Sequence, residues 1–355
     1  MKKKNIYKRL LFFSRCGTIN ETLCTVRSER GIVLKEKRLR YRSPRITCPA
    51  YAKINLYLDA LGRREDGYHE LYSIMHALDL HDDIVVQLFP SDTPAVTLRI
   101  FGAHLPTDRR NLVFRAAEAY LARVNLTATA SVVLRKKLPI AAGIGGGSSD
   151  AAATLLAMNR AAGGLLGKSE LLSLAAELGS DVPFCLVGGT QICRGRGEKM
   201  EPLLPTRPLY AVLVTGREYV STPRAFAAAD EHYHNFDGSI PHGGDPQGLI
   251  DALRTGEGDR NAKLYYNLFE PVILPDCPHS AALREALERE GAYAVLMSGS
   301  GPSVFGLFED LKSARQAAAA IGNGARATTS APPAVPREAK KRIAPSNTES
   351  AEEQS

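Results

Sequence analysis

Gly143, Gly145, Gly146 and Gly147 follow Leu138-Pro139 and run without a break into an alanine-rich stretch that begins at Ser148. Glycine lets backbone come close to a ligand and take a positive φ without steric cost. With Ser148 or Ser149 as N-cap, the following helix turns its unpaired amides and positive dipole end toward the loop. That arrangement suits a polyphosphate. A plain connector is the alternative for any Gly-rich turn, but the direct passage into a helix weighs against it. Spacing removes the familiar phosphate loops. GxxxxGK[ST] needs a lysine after its last glycine, where this chain has Ser148. The GxGxxG form of dinucleotide folds and protein kinases needs a glycine at that same position.

A phosphoryl-transfer site needs a phosphate cradle, a cation beside the transferring group and a carboxylate to take the acceptor hydroxyl's proton. Two other stretches offer the missing parts. Cys48 to Leu58 (CPAYAKINLYL) puts Lys53 and Asn55 on one face of a strand at period two. Leu178 to Leu186 (LGSDVPFCL) places Asp181 between a helix end and an apolar run. Taken alone, Lys53 reads as an edge lysine and Asp181 as a turn or N-cap aspartate. Together with the loop they supply one candidate for each requirement.

The elements that must position these residues begin with strands. Alternation predicts a strand from Ile46 to Leu58, a turn from Gly62 to Gly67, and short β-rich runs at Ile84–Leu88 and Val96–Ile100. A helix is predicted over Asn111–Arg123, with Leu112, Ala116, Ala119 and Tyr120 on its apolar face. A strand, Ala130–Leu134, leads into the glycine loop and its helix, Ser148 to about Ala162. A second helix, Ser169–Leu178, ends at Gly179, a suitable C-cap. Further strands are expected at Tyr210–Val214, Tyr293–Met297 and Val304–Phe308, and Cys185 lies in a run that reads as strand. Strands first and a mixture later give an α+β protein of two domains joined near residue 200.

Of the 355 residues, the first 45 hold 14 of the 45 basic residues and 3 of the 38 acidic ones. The remaining 31 basic and 35 acidic residues leave the body slightly acidic despite a pI near 9.0. No basic stripe interleaved with aromatics marks a nucleic-acid partner, and no apolar run is long enough to cross a membrane. The six cysteines form no CxxC pair and read as free thiols in a reducing cytoplasm. Residues 1–45 are expected to be a disordered basic extension or a translated leader. The stretch from about Ala325 to Ser355, rich in Ala, Pro, Ser, Thr and charge, is expected to be a disordered tail.

PIAAGIGGGSSDAA (Pro139–Ala152) resembles the PxxxGLGGSSA-type ATP loop of the GHMP kinases, the superfamily of galacto-, homoserine, mevalonate and phosphomevalonate kinases. PAYAKINLYLDALGRREDGYHEL (Pro49–Leu71), LGSDVPF (Leu178–Phe184) and LMSGSGPSVFG (Leu296–Gly306) are similar to further blocks of that superfamily, in its order. The DGYH block, Asp66 to His69, is similar to the branch acting on a cytidine-diphosphate-linked methylerythritol in non-mevalonate isoprenoid synthesis. The resemblance covers roughly Ile46 to Ile321.

It implies a ribosomal-S5-domain-2-like ATP-binding domain over residues 46–200 and a C-terminal GHMP α/β-plait domain over 201–324, with the site between them. It implies ATP with Mg2+ as cofactors, a small-molecule substrate, a monomer or homodimer and a cytoplasmic location. By the same resemblance Asp181 is the general base toward a 2-hydroxyl, and Lys53 keeps it ionised and stabilises the γ-phosphoryl group. Pro139, Ile140, Ala141, Ala142, Gly143, Ile144, Gly145, Gly146, Gly147, Ser148 and Ser149 wrap the ATP phosphates, with Ser148 near magnesium. Asn111 and Lys136 match positions near the adenine. Tyr68 by stacking and His69 by hydrogen bonding read the cytosine, and Asn55, Thr222 and Phe226 line the rest of the substrate pocket with Asp181. Ser298-Gly299-Ser300-Gly301 matches a second glycine loop near the substrate phosphates. No glutamate for magnesium is identifiable, and the direction of Asp150 on its helix is open. A GHMP kinase for another alcohol, of mevalonate or homoserine type, is the nearest alternative, and a catalytically silent nucleotide-binding protein is the alternative from another class.

Overall fold

A computed structural model of the chain describes residues 19–20, 25–27, 33–35, 37–233 and 242–332. The expected disorder of residues 333–355 lies outside the described residues, whereas within the expected basic extension Ile19–Asn20 pairs antiparallel with Lys37–Leu39 and Thr25–Arg27 with Val33–Lys35. Lys37–Leu39, inside the expected basic extension, pairs in parallel with Leu126–Arg135 at the start of that strand. Arg326–Thr329, inside the expected disordered tail, is an edge strand of the C-terminal sheet, antiparallel to Tyr210–Thr215. Both corrections have one cause: a short polar strand carries no periodicity of its own and is held by its neighbour's backbone.

Two long strands dominate the N-terminal half. Ile46–Arg63 and His69–Pro90 form an antiparallel hairpin. The first of them alternates in burial at its start and is then buried on both faces from Ala52 to Ala60. One stretch packs Cys48 and Ala50 toward the N-terminal helices, while Ala52, Ile54, Leu56 and Tyr57 join a core with Leu213, Phe305 and Leu307 of the C-terminal sheet. Alternation fails where both faces of a strand are covered. The same shared core means that the two halves divided near residue 200 are packed as one apolar body at their junction.

His69–Pro90 also pairs with Leu126–Arg135 and with Thr190–Gly195, and the two-residue strand Tyr266–Asn267 extends the far edge in parallel with Ile46–Arg63. Helices Leu112–Arg123, Gly146–Ala161 and Lys168–Leu178 share the core with this sheet. The first begins one residue after the predicted start, with Asn111 as its N-cap, and buries Val113, Ala116, Ala117, Tyr120 and Leu121. Its buried stripe is therefore rotated from the predicted one, and Leu112 and Ala119 are only half-buried. The run containing Cys185 is a short helix, Val182–Val187, because Pro183 in its first turn suits a helix start and has no amide to offer a ladder. The C-terminal half is a four-stranded antiparallel sheet in the order Ala294–Met297, Ser303–Phe308, Tyr210–Thr215, Arg326–Thr329. Its core is shared with helices Pro278–Arg289 and Leu311–Ile321.

Candidate active site

The loop helix starts three residues earlier than an N-cap at Ser148 would place it. Gly145, in the left-handed region at φ 70°, is the N-cap of Gly146–Ala161, with no side-chain cap bond. Ser148 and Ser149 therefore lie within the first turn, and Ser149 donates to the Gly146 carbonyl at 3.0 Å. Glycine needs no side-chain cap when the vacant amides face a ligand site. A Cβ at Gly145 would lie 2.9 Å from Lys53 Cγ, so the residue admits no side chain on steric as well as conformational grounds.

The loop is stitched to the first strand, since the Lys53 amide donates to the Ile144 carbonyl at 3.0 Å. β-Bulges on either side of Lys53 and Asn55, between Tyr51 and Lys53 and between Asn55 and Tyr57, twist this part of the strand. Far from being an edge residue, Lys53 is 4% exposed. Its Nζ donates to Asn55 Oδ1 at 2.8 Å and lies 3.8 Å from Asp181 Oδ2. Asn55 in turn donates to Ser73 Oγ at 2.9 Å, which donates to the Tyr57 carbonyl. Asp181 precedes the helix Val182–Val187, but its carboxylate makes no cap bond, which leaves it available to a ligand. Cys185 and Cys193, close enough to feel the charge on Asp181, are pushed up by burial and remain thiols.

The second glycine loop closes over the first. Ser298 Oγ donates to the Gly143 carbonyl at 3.0 Å, and a Cβ at Gly143, whose φ is 71°, would fall on the Ser298 carbonyl oxygen. Ser300 Oγ meets Thr222 Oγ1 at 3.2 Å, tying this loop to the helix Thr222–Tyr233. Asn267, not singled out in the sequence, holds the loop from behind, donating to the Met297 and Gly299 carbonyls.

Together these parts line a cavity of about 500 Å³ reached from both halves of the chain. Its wall includes Lys53, Asn55, Asn111, Lys136, Pro139 to Gly143, Gly145 to Ser148, Asp150, Asp181, Thr222 and Phe226, with Phe269, Gly299 and Ser300 besides. Ile144 and Ser149 are buried behind it. Asn111 contributes wall, but its side chain is spent on the helix: Oδ1 accepts from the Val113 amide and Nδ2 donates to the Pro106 carbonyl. The ammonium of Lys136 is likewise committed, bonded to Asp82 and, at 2.9 Å, to Asp150. Burial alone would lower the Lys136 pKa, yet the two carboxylates hold it above its ordinary value. Burial, with the neighbouring charge of Asp82, pushes the Asp150 carboxyl up against the pull of Lys136. Asp82 and Asp150 lie far apart in the chain, so the sequence does not announce them as a pair; the acidic Asp82-Asp83 within the strand His69–Pro90 was the available signal.

Tyr68 and His69 are not among the residues that line this cavity. Tyr68 is 53% exposed, with the Arg196 guanidinium 4.8 Å from its ring centroid. His69 is buried, its ring stacked on Phe226 at 4.5 Å and 16°, with Nε2 2.6 Å from Asp230 Oδ1. His69 thus meets the cavity through Phe226, which the turn sequence could not reveal because Phe226 and Asp230 come from a distant helix.

Chemically, the cavity combines helix-start amides that attract an anion, a buried ammonium, and a partly exposed carboxylate within reach of it. The family profile described as GHMP kinases N terminal domain matches residues 111–189, and that described as GHMP kinases C terminal matches 249–326. The chain is 44% identical over 274 residues to the 4-diphosphocytidyl-2-C-methyl-D-erythritol kinase of Pelotomaculum thermopropionicum, covering 77% of this chain and 93% of that protein. It is 41% identical to the enzyme of the same name from Deinococcus radiodurans, over 77% of this chain and 87% of the other. A crystal structure of 4-(cytidine 5'-diphospho)-2C-methyl-D-erythritol kinase superimposes with a TM-score of 0.67 at 34% identity, covering 81% of this chain and all of that one.

Proposed function

The chain belongs to the GHMP kinases, in the family of the 4-diphosphocytidyl-2-C-methyl-D-erythritol kinases, and from that premise we propose that it phosphorylates the 2-hydroxyl of 4-diphosphocytidyl-2-C-methyl-D-erythritol with ATP, in isoprenoid precursor synthesis. The observation that carries the reading is the Lys53–Asp181 pair on the wall of the glycine-loop cavity.

In this mechanism Asp181 accepts the proton of the 2-hydroxyl as that oxygen attacks the γ-phosphorus. The bond from the γ-phosphorus to the bridging oxygen breaks, and ADP leaves with the electron pair. Lys53 opposes the charge on the phosphoryl group in transit. Asn55 and Ser73 hold that ammonium in place. The first-turn amides of Gly146, Gly147 and Ser148, which have no intrahelical acceptors, receive the phosphates.

Magnesium fits this cradle. Among the described residues no cluster of three or more His, Cys, Asp or Glu side chains is built for a metal. The ion would therefore be held chiefly by nucleotide phosphates and water, with few protein oxygens, Ser148 Oγ among them. Bound there it supplies charge neutralisation between the phosphates.

The nucleobase end is assigned to Phe226, whose ring reaches the cavity. His69, stacked behind it and tied to Asp230, braces that ring, and Tyr68 offers a second aromatic face once Arg196 moves off it. A cytoplasmic location accords with unpaired Cys48, Cys185, Cys193 and Cys277 and with the lack of any described helix long and apolar enough to cross a membrane. The test is a coupled ADP-release assay offering the cytidyl substrate, mevalonate and homoserine side by side. Turnover with the cytidyl substrate alone is expected, and equal or faster turnover of either other alcohol refutes the assignment.

A further inference from the structure

Every cation on the described wall of the cavity is already matched by a carboxylate. Lys53 stands beside Asp181, Lys136 is bonded to Asp82 and Asp150, and Arg110 donates to Asp108, Nη2 to Oδ2, at 2.7 Å. The acceptor assigned to this cavity brings a diphosphate of its own, while Lys53 is engaged with the phosphoryl group in transit. The second glycine loop, Ser298 to Gly301, carries no charged side chain. A diphosphate drawn out of water there is poorly compensated unless a further cation reaches it.

Arg196 is such a cation. It lies in the turn between the antiparallel strands Thr190–Gly195 and Lys199–Leu203, where its amide donates to Glu198 Oε2 at 2.6 Å. This turn is fastened to the one that carries Tyr68. Glu70 accepts from the Gly195 amide at 3.0 Å through Oε1 and from the Arg64 guanidinium through Oε2. Asp66, close enough to feel the charge of Arg196, accepts instead from Arg64 and from the Tyr68 amide. Among the described residues the half-buried Arg196 guanidinium therefore makes no hydrogen bond or ion pair, and it rests 4.8 Å from the Tyr68 ring centroid. A cation over an exposed aromatic face is held weakly, whereas a guanidinium grips a phosphate through two charge-assisted hydrogen bonds.

We propose that Arg196 binds the diphosphate of the acceptor: the base takes the face of Tyr68 that the guanidinium covers, and the displaced guanidinium closes on the phosphates. The ring face is given up most readily when a phosphate is there to receive the cation, so base and diphosphate are read together. Arg196 is then a specificity-determining residue, favouring a nucleoside diphosphate ester over an alcohol that lacks one. The inference rests on the cytidyl reading of the cavity and goes beyond it by naming the residue that reads the diphosphate.

The test uses the full chain, with cytidine and cytidine diphosphate as probes in calorimetric titrations. The parent is expected to bind the diphosphate at least about tenfold more tightly than the nucleoside, the scale of charge-assisted contacts. In Arg196→Gln that preference should fall by about tenfold or more, while cytidine binds as well or better because the face of Tyr68 is free. A preference within about threefold of the parent's overturns the proposal. So does an equal loss for both probes, the mark of a turn that has only lost its shape. In steady state the KM for the cytidyl substrate should rise about tenfold in the same variant with the KM for ATP held, and an equal rise in both likewise overturns it. A parent protein that binds neither probe overturns the cytidyl reading with it.

Discussion

Replacing Asp181 by Asn separates chemistry from architecture in this site. The side chain makes no cap bond to the helix it precedes, so an isosteric amide leaves Val182–Val187 undisturbed. The principal structural loss is the charge 3.8 Å from Lys53 Nζ. A pair at that distance is worth about 1 kcal/mol in water and about 4 kcal/mol in a surface-like protein dielectric. Asp181 is 32% exposed and Lys53 keeps Asn55 Oδ1 as an acceptor, so the lower end applies. Stability should therefore fall by roughly 1–2 kcal/mol, readable as a small shift in the urea midpoint. Turnover should fall by on the order of 10²–10⁴, equivalent to roughly 3–5 kcal/mol of barrier, because no other described carboxylate of the wall stands beside Lys53 to take the hydroxyl proton. The assay is steady-state ADP release with the cytidyl substrate, with ATP binding followed by calorimetry. ATP affinity should change little. A kcat within about threefold of the parent refutes the general-base assignment, and so does a loss that falls equally on ATP affinity.

Gly143→Ala should cost roughly 1–2 kcal/mol for a side chain at φ 71° and force the two glycine loops apart, since its Cβ would fall on the Ser298 carbonyl. An ångström-scale displacement of the cradle should lower kcat about 100-fold, and unchanged turnover together with an unchanged unfolding midpoint would count against loop apposition. Phe226→Ala should raise the KM for the cytidyl substrate about tenfold or more by removing an aromatic face, while sparing the KM for ATP; an equal rise in both contradicts a base-binding role. Burial lowers the His76 imidazole to about 4, so it stays neutral in the fold and titrates higher in the unfolded chain. Its contribution is complete above pH 6.5 and is lost as pH falls from there toward 4, by up to roughly 3 kcal/mol. His76→Gln should narrow the difference in urea stability between pH 7 and pH 4.5, and an unaltered difference would refute the buried-neutral state.

The cradle itself was legible because its signals are local. A run of glycines ahead of an alanine-rich stretch dictates a backbone turn and a helix start, and Lys53 and Asn55 declare their common face by period two. The strand at Arg326–Thr329 was invisible for the opposite reason: its order comes from the backbone of Tyr210–Thr215 and not from its own side chains. The rotated stripe of Leu112–Arg123 and the doubly buried middle of Ile46–Arg63 show the same limit. Which face of an element is covered depends on what packs there.

By itself, then, the chain determined the kind of chemistry: a phosphate loop, a lysine and an aspartate in blocks similar to those of one kinase superfamily. Tertiary structure alone decided how these meet. It brought Asp181 to within 3.8 Å of a lysine 128 positions earlier in the chain, and it laid the Ser298–Gly301 loop on Gly143. It stacked His69 on Phe226 of the cavity wall, and set Asp82 and Asp150 on one buried ammonium. The physical reason is that backbone preference and periodicity act over a few residues, whereas charge pairing, desolvation and close packing act through space and exist only after the chain has closed on itself.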